Sequence, residues 1–103
     1  MYKIIITSTD SLEIINKISD YALKAKLSPC VQVLSGADSR YIWKGKIESH
    51  KEYLLFIKCK NSNSKKIANY IESNHNYETP EIIETDFEIL NEEYKKWFDK
   101  SSI

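Results

Sequence analysis

The run Tyr53-Leu54-Leu55-Phe56-Ile57 constrains this chain more than any other segment. Side chains alternate along a strand, so Tyr53, Leu55 and Ile57 point to one face while Leu54 and Phe56 point to the other. Neither face is polar. A helix layer covers one side of a small sheet, and the second apolar side must find a partner or stay wet, forgoing roughly 25 cal/mol per Å² of burial. The sequence therefore predicts an oligomer in which another subunit covers the second face.

A chain of 103 residues has room for one core and not two, so a single domain over residues 1–103 is expected. Hydrophobic residues at 42%, with only two Gly and two Pro, exclude a disordered tail. Fifteen basic residues balance fifteen acidic ones. Such a chain has no net field to attract a nucleic-acid backbone or an anionic membrane, and neither is expected as a partner. The apolar run Ile4-Ile5-Ile6 is too short for a signal sequence, and no stretch is long enough to cross a bilayer. Cys30 and Cys59 stand alone without a CxxC, which fits a reducing cytoplasm.

Tyr2 to Thr7 is rich in β-branched residues and stops at Ser8-Thr9-Asp10, as a strand does at a turn. Ile14, Ile15, Ile18, Tyr21, Ala22 and Ala25 then trace one stripe of a helix from about Ser11 to about Lys26. Asp10 and Glu13 form a variant of the capping box, and Ser28-Pro29 closes the helix. Alternation resumes at Cys30, breaks at Gly36-Ala37-Asp38 and continues through Ser39 to Lys44, predicting a long strand with a bend or bulge. Gly45 can take positive φ and reverse the chain into a hairpin, whose return strand runs to about Lys60.

Asn61-Ser62-Asn63-Ser64 offers several N-caps for a second helix through Ile67, Ala68, Tyr70 and Ile71. A strand follows at Glu81 to Thr85, continued weakly by Phe87 to Leu90. Asn91 can cap a last helix with Tyr94, Trp97 and Phe98 on one edge. The order is βαββαβ plus a C-terminal helix. Two β-α-β halves joined by a hairpin predict an α+β, ferredoxin-like fold, with an antiparallel sheet and both main helices on one face.

The polar landmarks carry a resemblance. Cys30-Val31, then Ser39-Arg40-Tyr41-Ile42-Trp43-Lys44-Gly45-Lys46-Ile47, then Glu52 with Leu55, Ile57 and Lys58, then His75-Asn76-Tyr77-Glu78-Thr79-Pro80-Glu81-Ile82 together resemble the CutA family of divalent-cation tolerance proteins. The likeness runs from Tyr2 to Trp97. The family commonly has Pro where this chain has Asn76. The resemblance implies a ferredoxin-like subunit assembled as a homotrimer, strand pairing between neighbours, and tolerance to copper and other divalent metals. It also implies an architecture similar to PII-like signalling trimers.

Cys30 is a candidate metal ligand, since a thiolate favours copper(I) and other thiophilic ions, and the resemblance places a family cysteine there. The bland alternative is a small buried residue. His75 with Glu78 could supply imidazole nitrogen and carboxylate oxygen, yet no second strong ligand is spaced nearby. Lys58, half of an ion pair with Glu52, Glu78 or Glu81 expected at a subunit boundary, could instead join Tyr77 and Glu81 around a small anion or metabolite. Tyr41 and Trp43 in the hairpin, with Tyr53, Leu55 and Ile57 on the return strand, are the expected interface anchors. His50 is expected to be solvated. No phosphate loop, serine elbow or catalytic triad order is present, so no enzyme activity is expected. Two readings follow: a metal-tolerance protein binding copper or another divalent cation, and a PII-like module holding a metabolite in inter-subunit clefts and contacting an unknown protein partner.

Overall fold

The computed structural model describes residues 1–103. Its elements are β1 (Tyr2–Thr9), α1 (Leu12–Lys24), β2 (Cys30–Trp43), β3 (Lys46–Lys60), α2 (Ser64–Asn74), β4 (Ile82–Phe87) and α3 (Glu92–Lys100), with a 3-10 turn at Asn61–Asn63 before α2. The four strands form one sheet in the order β2-β3-β1-β4, and every neighbouring pair is antiparallel. This is the expected ferredoxin-like order. No helix is long and apolar enough to cross a membrane.

Strand alternation sorts the sheet into two faces. Ile5 pairs with Ile57 and Thr7 with Leu55 on the first face, where α1 and α2 lay down Ile15, Ile18, Ala22, Ile67 and Ile71. Leu55 and Ile57 are fully buried there, and Tyr53 packs at the margin. These three residues, expected at an interface, belong to the core of the chain itself, because the helices chose their face. Cys59 lies in the same core, and burial pushes its thiol up to about 11.

The second face carries Ile4, Ile6, Leu34, Leu54, Phe56 and Ile83. Only one end of it is covered within the chain. Tyr2 stacks on Phe87 and meets the fully buried Phe98 edge to face, and its hydroxyl donates to Asp99 at 2.7 Å. Helix α3 thus closes the Tyr2 end of the second face, while Trp97, expected on the same helix edge as Phe98, remains substantially exposed. Leu34 is 57% exposed and Ile83 53%.

Local chemistry explains the joints. Ser11, not Asp10, caps α1: its Oγ accepts from the Ile14 amide at 3.2 Å, and Asp10 instead accepts from Asn76. The helix ends before Ser28-Pro29, since Lys26 takes φ 57° and the Leu27 and Ser28 amides both donate to the Ala22 carbonyl. A bulge lies between Leu34 and Ala37, with Gly36 at φ 75°. At the far end Lys44 (φ 50°) and Gly45 (φ 78°) form a tight reversal between the paired residues Trp43 and Lys46. Beyond the bulge the two strands continue as an arm, and the molecule measures 46 × 25 × 21 Å. Asn63 does not cap α2 with its side chain; it donates to the Leu27 and Ile103 carbonyls and ties the C-terminus to the body. Asn91 likewise precedes α3 without a side-chain cap.

The core assignment gives a direct check. Leu55→Ala should cost about 2–5 kcal/mol of folding stability in denaturant titration at fixed protein concentration, the range for an apolar side chain deleted from a packed core. A loss under about 1 kcal/mol would show that Leu55 is not packed as described.

Candidate functional site

The root of the hairpin arm, the end of β1 and the segment between α2 and β4 enclose a cleft of about 680 Å³. Ser8, Asp38, Ser39, Arg40, Tyr41, Trp43, His50, Glu52, Tyr77, Glu78, Thr79 and Glu81 line it. Alternation on β3 places His50 and Glu52 on the same face as Leu54 and Phe56, so the cleft opens on the uncovered side of the sheet.

A chain of polar contacts runs along the cleft wall. The Tyr77 hydroxyl donates to Glu52 Oε2 at 2.6 Å. His50 Nε2 faces the same oxygen at 3.7 Å, and Nδ1 of that ring pairs with the Tyr41 hydroxyl at 3.1 Å. Glu52 is only 7% exposed. Burial first, and then the hydrogen bond to the Glu52 carboxylate, holds the Tyr77 phenol far above the ordinary tyrosine range. The Tyr41 phenol is also raised, by desolvation and then by Glu48 and Glu52. His50, expected in solvent, is therefore part of the site. The hairpin register could have shown this, since Ser39 pairs with His50 and Tyr41 is its diagonal neighbour.

The carboxylates of Asp38, Glu52, Glu78 and Glu81 face the single guanidinium of Arg40 in this lining. Tyr77, Glu78 and Glu81 come together as expected, but Lys58 does not join them. It lies opposite Ile4 and Cys30, beside a smaller cavity lined by Phe87, Glu88, Ile89, Leu90, Asn91 and Tyr94. Six residues of extended strand separate it from Glu52, about 20 Å. Lys58 thus makes no ion pair with these carboxylates within the chain, and the cleft lining holds four carboxylates against one guanidinium.

The metal candidates are dispersed as well. His75 is fully engaged: the Tyr77 amide donates to Nδ1 at 3.0 Å, which fixes the ring proton on Nε2, and Nε2 donates to the Ser8 carbonyl at 2.9 Å. No lone pair is left for a metal ion. The histidine instead holds the cleft segment against the end of β1, helped by Asn76, which accepts from Thr9 and donates to Asp10. Cys30 is half-buried at the far end of the sheet beside Tyr94, whose phenol is raised by burial and by that thiol. No group of three His, Cys, Asp or Glu side chains converges to hold a metal ion, so a single chain does not fit a complete metal centre.

These features define a small ferredoxin-like domain with a projecting hairpin and an acid-lined cleft on an open sheet face. Comparison with known proteins names the class. Residues 3–101 match the family model described as CutA1 divalent ion tolerance protein. The chloroplastic protein CutA of Arabidopsis thaliana is 31% identical over 86 residues, covering 84% of this chain and 47% of that protein. The structure of the periplasmic divalent cation tolerance protein CutA from Archaeoglobus fulgidus superposes with a TM-score of 0.90 at 28% identity, covering 98% of each chain. That of CutA1 from Oryza sativa gives 0.91 at 26% identity, covering 99% of this chain and 94% of that one. The chain belongs to the CutA1 divalent ion tolerance family. It spans 47% to 50% of the length of the plant and frog relatives it matches.

The Tyr77–Glu52 bond makes a testable claim about pH. Because the folded state raises the Tyr77 pKa, this contribution to stability is fully present below the unfolded tyrosine value, roughly 10, and is lost as pH rises through the higher folded value. Ultraviolet titration of the phenolates should therefore show a tyrosine ionising well after the others, and Tyr77→Phe should remove it. Disappearance of an early-ionising tyrosine in that variant would contradict the geometry.

Proposed function

We propose that this chain acts in divalent-cation tolerance as a non-catalytic protein, assembled from copies of itself into a homotrimer. The match of residues 3–101 to the CutA1 family model carries the functional part of the reading. The assembly is supported by the open face of the sheet. Leu34, Leu54, Phe56 and Ile83 form an apolar surface that α3 leaves uncovered, and it continues onto an arm with Tyr41 and Trp43 on one side and the paired Ile42 and Ile47 on the other. An arm apolar on both sides, with Ile47 83% exposed, is suited to lie between neighbouring subunits. Tyr41 and Trp43 therefore keep their proposed interface role, and Leu54 and Phe56 take the place of Leu55 and Ile57.

Copper or another divalent cation is the proposed ligand. Glu78 and Glu81 in the cleft and the half-buried Cys30 are the donors still free for it, with His75 removed by its two hydrogen bonds. Since one chain brings no three donors together, we place binding where copies meet. The acid-lined cleft argues against the alternative of a module that binds small anions. The cytoplasm remains the proposed compartment, in keeping with two cysteines that form no disulfide; the Arabidopsis and Archaeoglobus relatives carry chloroplastic and periplasmic names.

In cells lacking their own family member, expression of this chain should restore growth at divalent-metal concentrations that inhibit the deletion strain. Growth indistinguishable from the empty-vector strain across copper, zinc and cobalt salts, at matched expression, would contradict the proposal.

A further inference from the structure

The helix side of the sheet holds one contact that the cleft does not use. Tyr21 on α1 and Tyr70 on α2 lie flat against each other, with ring centroids 3.8 Å apart and planes within 1° of parallel. Aromatic pairs ordinarily settle offset or edge to face, with centroids about 4.5–7 Å apart, because the negative faces of two rings repel. The other aromatic contacts of the chain keep to that spacing, at 4.9 to 6.5 Å, and none of them joins two tyrosines. Helical spacing holds this pair together: Tyr21 follows Ile14 and Ile18 along one stripe of α1, and Tyr70 sits beside Ile67 and Ile71 on α2. Both rings are half-buried against the core that these helices close. Their hydroxyls still reach water, since neither oxygen is sealed from solvent. By contrast, the hydroxyls of Tyr2, Tyr41 and Tyr77 are tied to Asp99, His50 and Glu52.

We propose that the Tyr21–Tyr70 stack is a site of oxidative cross-linking, at which a one-electron oxidant joins the two rings into a dityrosine within the chain. Each phenol gives one electron to the oxidant and its hydroxyl proton to water, leaving two phenoxyl radicals. The unpaired electrons, shared onto the ring carbons beside each oxygen, pair in a new carbon–carbon bond between the rings. The hydrogen on each coupling carbon then moves to its own oxygen and restores the phenol. In all, two equivalents of oxidant are reduced and two protons released. Coupling ordinarily waits for two radicals to meet, whereas these rings are already in contact, and positioned partners react as though at very high concentration. Oxidants of this class arise from peroxide and redox-active copper, so a chain working amid excess copper would meet them. The product ties α1 to α2 on the side of the sheet away from the cleft, and by closing a long loop it restricts the unfolded chain. The site depends on neither assembly nor metal binding.

Photogenerated tris(bipyridyl)ruthenium(III), a one-electron oxidant, would be titrated into the purified full chain until tyrosine is consumed. Single chains would then be isolated under denaturing conditions for fluorescence and tandem mass spectrometry. The expected product is a chain lighter by two hydrogen atoms, with dityrosine emission and a peptide pair joined through Tyr21 and Tyr70, in a yield that does not fall on dilution. Tyr21→Phe and Tyr70→Phe keep the ring packing and remove one phenol, so each should lower single-chain dityrosine at least about tenfold. Tyr53→Phe, whose ring stacks on no other, should leave the yield unchanged. Circular dichroism checks that each variant folds. The cross-linked parent should also unfold at a higher denaturant concentration than Tyr21→Phe treated alike. Tyrosine consumed with only interchain links or hydroxylated rings as products, or single-chain dityrosine persisting in Tyr21→Phe, would overturn the proposal. Equal unfolding midpoints would overturn the tie between the helices.

Discussion

The structure depends on how β3 divides its apolar side chains. Leu55, Ile57 and Cys59 commit to the face that α1 and α2 cover, and once they do, strand alternation forces Leu54, Phe56 and Lys58 to the other. A shift of one residue in register would exchange the two sets. The bulge at Gly36 lets β2 follow this strand past its bend, and the reversal at Lys44-Gly45 holds the partners in step out to the tip. The cleft follows from the same choice, since Glu52 lies on the open face two residues from Leu54.

The cleft and the uncovered apolar residues share one face of the sheet. Helix α3 closes one end through the Tyr2, Phe87 and Phe98 cluster, and the Lys60 ammonium donates to the Asp99 and Ser102 carbonyls to hold it there. The other end stays open, edged by the Tyr41-His50-Glu52-Tyr77 chain. His75 and Asn76 position that chain by fastening the segment before β4 to the end of β1. A histidine with both nitrogens engaged acts as a structural clamp, which gives it a role in the cleft without making it a ligand.

Much of this was legible in the residues. Hydrophobic periodicity located α1 and α2, the glycines marked the bulge and the reversal, and alternation through Tyr53 to Ile57 showed that both faces of β3 carry apolar side chains. Which of its two faces would be core was not legible, because alternation defines two sets and only the helices choose between them. Alternation did place Lys58 on the face of Leu54 and Phe56, and a rise of about 3.3 Å per residue keeps it far from Glu52 within the chain. His75 was read as a potential ligand because a sequence displays its imidazole but not the Ser8 carbonyl and Tyr77 amide that engage it. The cap at Ser11 was misassigned to Asp10 since both residue types cap helices, and only the partnership of Asp10 with Asn76 separates them.

The central claim is that the open face of the sheet is a surface between copies. Hydroxyl-radical footprinting of Leu34, Phe56 and Ile83 over a dilution series tests it most directly. The account predicts that these side chains are protected at micromolar concentration and become labelled together as the protein dissociates, while Leu55 and Ile57 stay protected throughout. Rapid labelling of Phe56 and Ile83 at all concentrations, in a protein that is folded, would contradict it.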